Sequence, residues 1–109
     1  MRAGNLLINP PTSKEKDERF DVLLSEPGVR IERIISTGQA SPPGFWYDQE
    51  GAEWVMLLKG AATLQFDNQN AEHPLETGDW VYIAPHQRHR VAWIDPDQIT
   101  VWLAVHISV

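Results

Sequence analysis

The chain has 109 residues, enough for one hydrophobic core and too few for two, and it contains no cysteine, which excludes disulfides, thiolate metal sites and cysteine nucleophiles. Its formal net charge of -6 and its scattered Lys and Arg residues argue against a nucleic-acid-binding protein. Because no apolar run approaches the ~20 residues of a membrane-spanning helix and the N-terminus carries no export-type segment, we expect a cytoplasmic protein with no membrane partner.

Residues 1–19 are predicted to form an N-terminal arm. Near its end, only residues 12–20 could be helical, with Ser13 as a candidate N-cap. This segment is polar on nearly every side, so a solvated turn or arm fits it equally well.

Strand signals recur along the rest of the chain, at spacings of about 8–12 residues. Turn residues such as Glu26-Pro27-Gly28 separate the apolar or alternating runs. The predicted strands are 21–25, 29–36, 45–49, 54–58, 61–66, 71–75, 80–84, 88–93 and 99–108. This pattern is typical of a sandwich or barrel, so the sequence predicts one all-β domain over residues 20–109.

Two segments carry more than a generic strand pattern. The first begins at Glu53 and, after six residues, reaches Gly60 at a predicted turn. The second opens with Gly78-Asp79 and passes through an apolar strand to His89. In this order and separation they resemble the two motifs of the cupin superfamily, and the resemblance extends from residue 43 to about residue 105. It implies a small double-stranded β-helix, or jelly-roll, barrel with the functional pocket inside.

The first motif departs from the family pattern, which usually places a His-x-His pair ahead of the Glu. Here those positions fall on Trp46 and Asp48 or, with a spacer one residue shorter, on Tyr47 and Gln49. Strand alternation puts the members of each pair on one face. A turn at residues 50–51 would bring Glu53 beside Asp48 or Gln49 on the neighbouring strand.

The second motif departs from the pattern at His86, which stands where the family usually has Gly. Of the four metal ligands typical of the family, only Glu53 and His89 carry over. A carboxylate inside a barrel must be paired, hydrogen-bonded or metal-bound, and an oxygen-rich set with one imidazole suits a divalent Mn, Fe, Zn or Ni ion. The predicted metal ligands are Asp48, Gln49, Glu53 and His89.

Each candidate also has a purely structural interpretation. Glu53 could lie at a solvated strand edge, Asp48 could be a turn residue, and His89 could be a hydrogen-bonded interior histidine. His86 is expected in a loop. Three aromatic residues and one histidine are further candidates for the pocket lining, with the core as their alternative place. They are Trp46, Tyr47, Tyr82 and His106.

Two functions from different classes remain open. The first is a metal-dependent enzyme, an isomerase, lyase, decarboxylase or dioxygenase, acting on a small carboxylate or sugar-like metabolite with Glu53 or His89 as general acid or base. The second is a non-catalytic metabolite-binding or sensor protein without a functional metal site. In either case we expect Glu53 and His89 to face each other across a closed cavity. The resemblance also implies a homodimer, with residues 6–8 and 20–24 as candidate interface segments.

Overall fold

The computed structural model describes residues 1–7 and 16–108. These residues form eight β-strands and no helix, so none of them belongs to a helix that could cross a membrane. The prediction of an all-β chain is therefore confirmed. The strands are β1 (Arg19–Glu26), β2 (Val29–Ser36), β3 (Ala52–Lys59), β4 (Ala62–Phe66), β5 (Glu72–Leu75), β6 (Trp80–Ile83), β7 (His89–Ile94) and β8 (Thr100–Ile107).

The strands form two sheets. The larger sheet has the order β1-β2-β8-β3-β6, and the smaller one has the order β5-β4-β7. All strand pairings are antiparallel. Strands distant in sequence are thus neighbours in the large sheet, because β8 lies between β2 and β3.

The hydrophobic core lies between the two sheets. Leu57 and Trp102 of the large sheet belong to the same buried cluster as Leu64 and Phe66 of the small one. Fully burying a side chain of this size stabilises the fold by about 1.5–3 kcal/mol. The cluster therefore holds the sheets face to face, and it fixes which residue of each alternating pair points inward.

Gly60, the glycine of the first motif, has a steric reason to be there. It ends the β3–β4 turn with φ of 97°, in the left-handed region that favours glycine. A Cβ on Gly60 would lie 2.4 Å from Thr100 Oγ1, and a Cβ on Gly51 would lie 2.6 Å from the carbonyl oxygen of Ile107. Both glycines let the ends of β3 pass close to β8.

The structure differs from the prediction in two segments. Residues 45–49 do not form a strand, and their one ladder contact is an isolated antiparallel bridge between Tyr47 and His89. The chain bonds to β7 at Ser41, whose N–H donates to the Val91 carbonyl. Pro42 and Pro43 follow, and Phe45 N–H donates to the Pro42 carbonyl in a turn, so the backbone next pairs with β7 at Tyr47. The helical alternative for 12–20 lies partly outside the described residues, while 16–18 are not helical and Phe20 belongs to β1.

Candidate functional site

A cavity of about 340 Å³ opens between the two sheets. This is a volume typical of sites for small metabolites. Its walls combine apolar side chains with a small group of charged and polar ones. The charged and polar lining residues are Glu18, Arg30, Glu32, Tyr47, Gln49, Glu53, His89 and His106.

The large sheet supplies a row of three polar side chains across neighbouring strands. His106 of β8 is the register partner of Arg30 in β2 and of Glu53 in β3. Directly paired residues of a sheet project from the same face. Arg30, His106 and Glu53 consequently lie side by side along the cavity wall.

His89 reaches the cavity from the opposite, small sheet. Its Nε2 lies 3.9 Å from Glu53 Oε1, and both side chains are at least nine-tenths buried. Its Nδ1 donates a hydrogen bond to the Gln87 carbonyl oxygen over 2.9 Å. A carbonyl can only accept, so the proton of the neutral ring is on Nδ1, and Nε2 presents a lone pair towards Glu53.

Two aromatic rings hold the His89 imidazole in place. The Tyr47 ring stacks on the imidazole with the ring centroids 5.4 Å apart. The Phe66 ring is tilted against it, with the centroids 6.2 Å apart. The backbones of Tyr47 and His89 also exchange two hydrogen bonds, of 2.7 and 3.1 Å. The ring orientation is thus set by packing as well as by the bond to Gln87.

A second carboxylate–imidazole pair lies within the large sheet. His106 Nε2 donates to Glu32 Oε1 over 2.7 Å, and Glu32 is buried. Glu32 is not among the site residues predicted from the sequence. The available signal was the alternation of β2, which puts Arg30, Glu32 and Ile34 on one face, but its pairing with β8 was unknown.

Burial dominates the electrostatics of the cavity. It raises the pKa of Glu53. The nearby side chains of His106, His89 and Arg30 lower this pKa by a smaller amount, and the Glu32 carboxylate adds to the rise. Burial also raises the pKa of Glu18, and a hydrogen bond from Ser36 partly offsets that rise. The pKa of the Tyr47 hydroxyl is raised mainly by burial and, to a smaller extent, by the negative charges of Glu18 and Glu53. Both carboxyl groups are therefore shifted towards the protonated form.

The four predicted metal ligands are not brought together. Gln49 lines the cavity with Glu53 and His89, but Asp48 does not. His86 Nδ1 donates to Asp48 Oδ1 over 2.8 Å, with both side chains largely exposed. Alternation about the Tyr47–His89 bridge is the cause, since it turns Tyr47 and Gln49 inward and Asp48 outward.

The remaining donors do not fit a metal ion as they are arranged. Among the residues described, no three or more His, Asp or Glu side chains form a group that could hold one. Glu32 and His106 are already hydrogen-bonded to each other. Of the His, Asp and Glu side chains, that leaves Glu53 and His89, which is fewer than the three protein ligands that catalytic zinc sites use.

Two aromatic residues predicted to line the pocket lie elsewhere, which corrects that expectation. Trp46 is outside the cavity, beneath the guanidinium groups of Arg88 and Arg90 at 5.7 and 6.0 Å from its ring centroid. Tyr82 is 53% exposed on the outer face of β6, opposite Trp54 of β3. Both precede a residue that lines the cavity, Tyr47 after Trp46 and Ile83 after Tyr82, so they point to the opposite side. The other two predicted lining residues, Tyr47 and His106, do border the cavity.

The comparisons with known proteins identify the class of barrel. The profile of the Cupin domain family matches residues 33–106, which is more than half of the chain. The chain therefore belongs to the cupin family, and its fold is the cupin jelly roll, as the resemblance implied. No curated protein matches it.

Three solved structures illustrate the relationship. A protein of Ralstonia eutropha JMP134, named "putative mannose-6-phosphate isomerase", is 48% identical over 100% of both chains, with a TM-score of 0.96. A cupin superfamily protein of Desulfitobacterium hafniense DCB-2 is 18% identical over 100% of both chains, with a TM-score of 0.74. A cupin protein of Bacteroides fragilis is 20% identical over 92% of this chain and 84% of that one, with a TM-score of 0.67. The last two are similar in fold alone.

Proposed function

We propose that this cupin binds a small polar metabolite, sugar-like or carboxylate-bearing, and that Glu53 and His89 transfer protons on it. One observation carries the proposal: a buried carboxyl group with a raised pKa lies 3.9 Å from Nε2 of a buried imidazole whose Nδ1 donates to the Gln87 carbonyl, inside a cavity of metabolite size. A carboxyl group that holds its proton closer to neutral pH is suited to act as a general acid, and a neutral imidazole is suited to act as a general base.

Isomerisation is the reaction that this pair supports best. With a sugar that interconverts between aldose and ketose, His89 Nε2 takes the proton from the carbon beside the carbonyl, and Glu53 donates its proton to the carbonyl oxygen. The product is an enediol. His89 then returns its proton to the neighbouring carbon, and Glu53 regains one from the other hydroxyl, so no oxidant or reductant is needed. The name of the Ralstonia neighbour, at 48% identity, supports the same class of reaction.

Metal binding, which the family resemblance implied, is not part of this proposal. The described donors do not fit an ion, so each proton is assigned to a residue of the chain. One observation favours the alternative of a metabolite-binding protein without catalysis. Asp48, at a position where the family can carry a ligand, is engaged with His86 at the surface instead.

The test is exchange of substrate protons with solvent. Mannose 6-phosphate and fructose 6-phosphate would each be incubated with the protein in D2O and followed by proton NMR. We expect interconversion with deuterium incorporation, slowed by about 10²–10⁴-fold in Glu53→Gln and in His89→Asn. His86→Asn is the matched control and should retain the wild-type rate, because its imidazole is exposed and does not line the cavity.

The outcomes separate the two functions. Full activity of Glu53→Gln would contradict the assignment of the acid. Saturable binding of these sugars to the wild type without any exchange would instead favour the non-catalytic alternative.

The homodimer expected from the sequence also remains a proposal. Phe20 and Val22 of the edge strand β1 are 55% and 58% exposed, although both are large and apolar. They lie in the predicted interface segment 20–24, and a second copy of the chain would cover them. We expect a dimeric mass by light scattering and a shift towards monomer in Val22→Glu. A monomeric wild type at micromolar concentration would contradict the proposal.

A further inference from the structure

A second cavity, of about 380 Å³, adjoins the first. Arg30, Gln49 and His106 line both cavities, so these three residues mark the junction between them. A ligand bound at Glu53 and His89 could extend past this junction towards the second opening.

Arg30 is the one Lys or Arg among the described residues that line the main cavity. Its Nε lies 3.7 Å from Glu32 Oε2, too far for a hydrogen bond, and the other oxygen of Glu32 accepts from His106. Among the described residues, no hydrogen bond engages the Arg30 guanidinium, and its side chain is 50% exposed. Its planar array of donors is therefore available to an oxyanion, which it can bind with two parallel hydrogen bonds.

We propose that Arg30 binds an anionic group of the metabolite at this junction and so aims the reacting carbon at Glu53 and His89. The inference rests on the proposed function, because it orients a substrate for that reaction. The spacing of Arg30 and Glu53 along the row of three polar side chains supports this proposal. Adjacent strands of a sheet lie about 4.8 Å apart, and Arg30 and Glu53 are two strands apart, which separates their backbones by about 10 Å. That is a suitable distance between the charged end and the reacting end of a small metabolite.

The carboxyl groups of the cavity do not oppose an anion at this position with their full charge. Burial raises the pKa of Glu53 and of Glu18, which favours their neutral forms. Glu32 is compensated by its bond to His106 and by its proximity to Arg30. The site therefore selects a ligand with a single anionic group at one end and hydroxyl or carbonyl groups at the other.

The test compares anionic probes with their neutral counterparts by isothermal titration calorimetry. Mannose 6-phosphate is paired with mannose, and gluconate is paired with glucitol. We expect the wild type to bind at least one anionic probe about tenfold more tightly than its neutral counterpart, and Arg30→Gln to abolish that preference. The phosphate pair and the carboxylate pair then identify which oxyanion the site prefers.

Two variants sharpen the result. Arg88→Gln removes an arginine that pairs with Asp67 outside the cavity, and it should leave the preference unchanged. Arg30→Lys keeps the charge without the planar donors and should restore part of the preference. Equal affinities of wild type and Arg30→Gln for both anions, or no binding of either anion by the wild type, would overturn the inference.

The two proposals can fail separately. An Arg30-dependent anion preference in a protein whose Glu53→Gln variant exchanges protons normally would support this inference and contradict the assigned acid. Loss of exchange in Glu53→Gln, with an anion preference unchanged by Arg30→Gln, would support the acid and overturn this inference.

Discussion

The cavity contains two carboxylate–imidazole pairs that differ in how they are held. Glu32 and His106 lie in neighbouring strands of one sheet and share a hydrogen bond of 2.7 Å. Glu53 and His89 come from opposite sheets and stay 3.9 Å apart, without a direct hydrogen bond. The first pair satisfies itself, whereas the second leaves an acid and a lone pair facing a cavity. The same two residue types thus provide a structural element in one place and a candidate reactive centre in the other.

Breaking the bonded pair should have the largest effect on stability. His106→Ala leaves the buried Glu32 carboxylate without its hydrogen-bond donor, which costs about 2–3 kcal/mol of unfolding free energy. Urea denaturation at neutral pH measures the loss. His86→Ala is the matched control, since its pair with Asp48 is exposed and should be worth less than about 1 kcal/mol. Equal small losses in both variants would remove the distinction between the two kinds of pair.

Loosening the open pair should affect activity more than stability. Tyr47→Leu removes the ring that stacks on His89, so the imidazole loses its orientation and proton exchange should slow by about tenfold. Tyr47→Phe keeps the stacked ring and should retain most of the activity. Rates and affinities for mannose 6-phosphate in the two variants provide the measurement. An equal loss in both would assign the effect to the hydroxyl group instead of the stacking.

The pH dependence of stability should reveal the raised pKa of Glu53. Its pKa is raised in the folded state, so the native protein holds this proton more tightly than the unfolded chain does. The contribution of Glu53 is fully present below its unfolded pKa of about 4.5 and is lost as pH rises through the folded pKa. Wild type should therefore lose stability relative to Glu53→Gln as pH increases from about 4.5 towards neutrality. A difference between the two proteins that does not change with pH would contradict the raised pKa.

The smallest effect on stability and binding is expected at Asp48, the predicted metal ligand that does not line the cavity. Asp48→Asn removes an exposed charge that faces away from the cavity, so unfolding free energy should change by less than about 0.5 kcal/mol. Its effect on sugar affinity, measured by calorimetry, should be negligible. A tenfold loss of affinity would return Asp48 to the site.

Much of the fold could be predicted because its signals are local. The turn at residues 26–28 and the hairpin at residues 67–70 separate runs of the correct period, and the structure has strands on both sides of each. The strand predicted at residues 45–49 is wrong, because their strand-like composition does not by itself provide a pairing partner. Two prolines and a glycine ahead of them limit pairing to the single bridge at Tyr47.

The site could be predicted only as far as the family motifs extend. Glu53 and His89 are carried by those motifs, and both line the cavity. Glu32 and Arg30 lie ahead of residue 43, where the motif resemblance begins, and their role depends on β8 pairing with β2. That pairing joins residues more than seventy positions apart, as in the bond between Glu32 and His106, and no local pattern encodes it.

In this interpretation Glu53 and His89 form an open acid–base pair inside the barrel. Carbon-13 NMR of the Glu53 carboxyl group across a pH titration tests it most directly, with nitrogen-15 shifts reporting the His89 tautomer. We expect the pKa of Glu53 to lie above the ordinary value of a glutamate, the titration of Glu53 to shift in His89→Asn, and the His89 proton to be on Nδ1. An ordinary Glu53 titration that is insensitive to His89→Asn would contradict it.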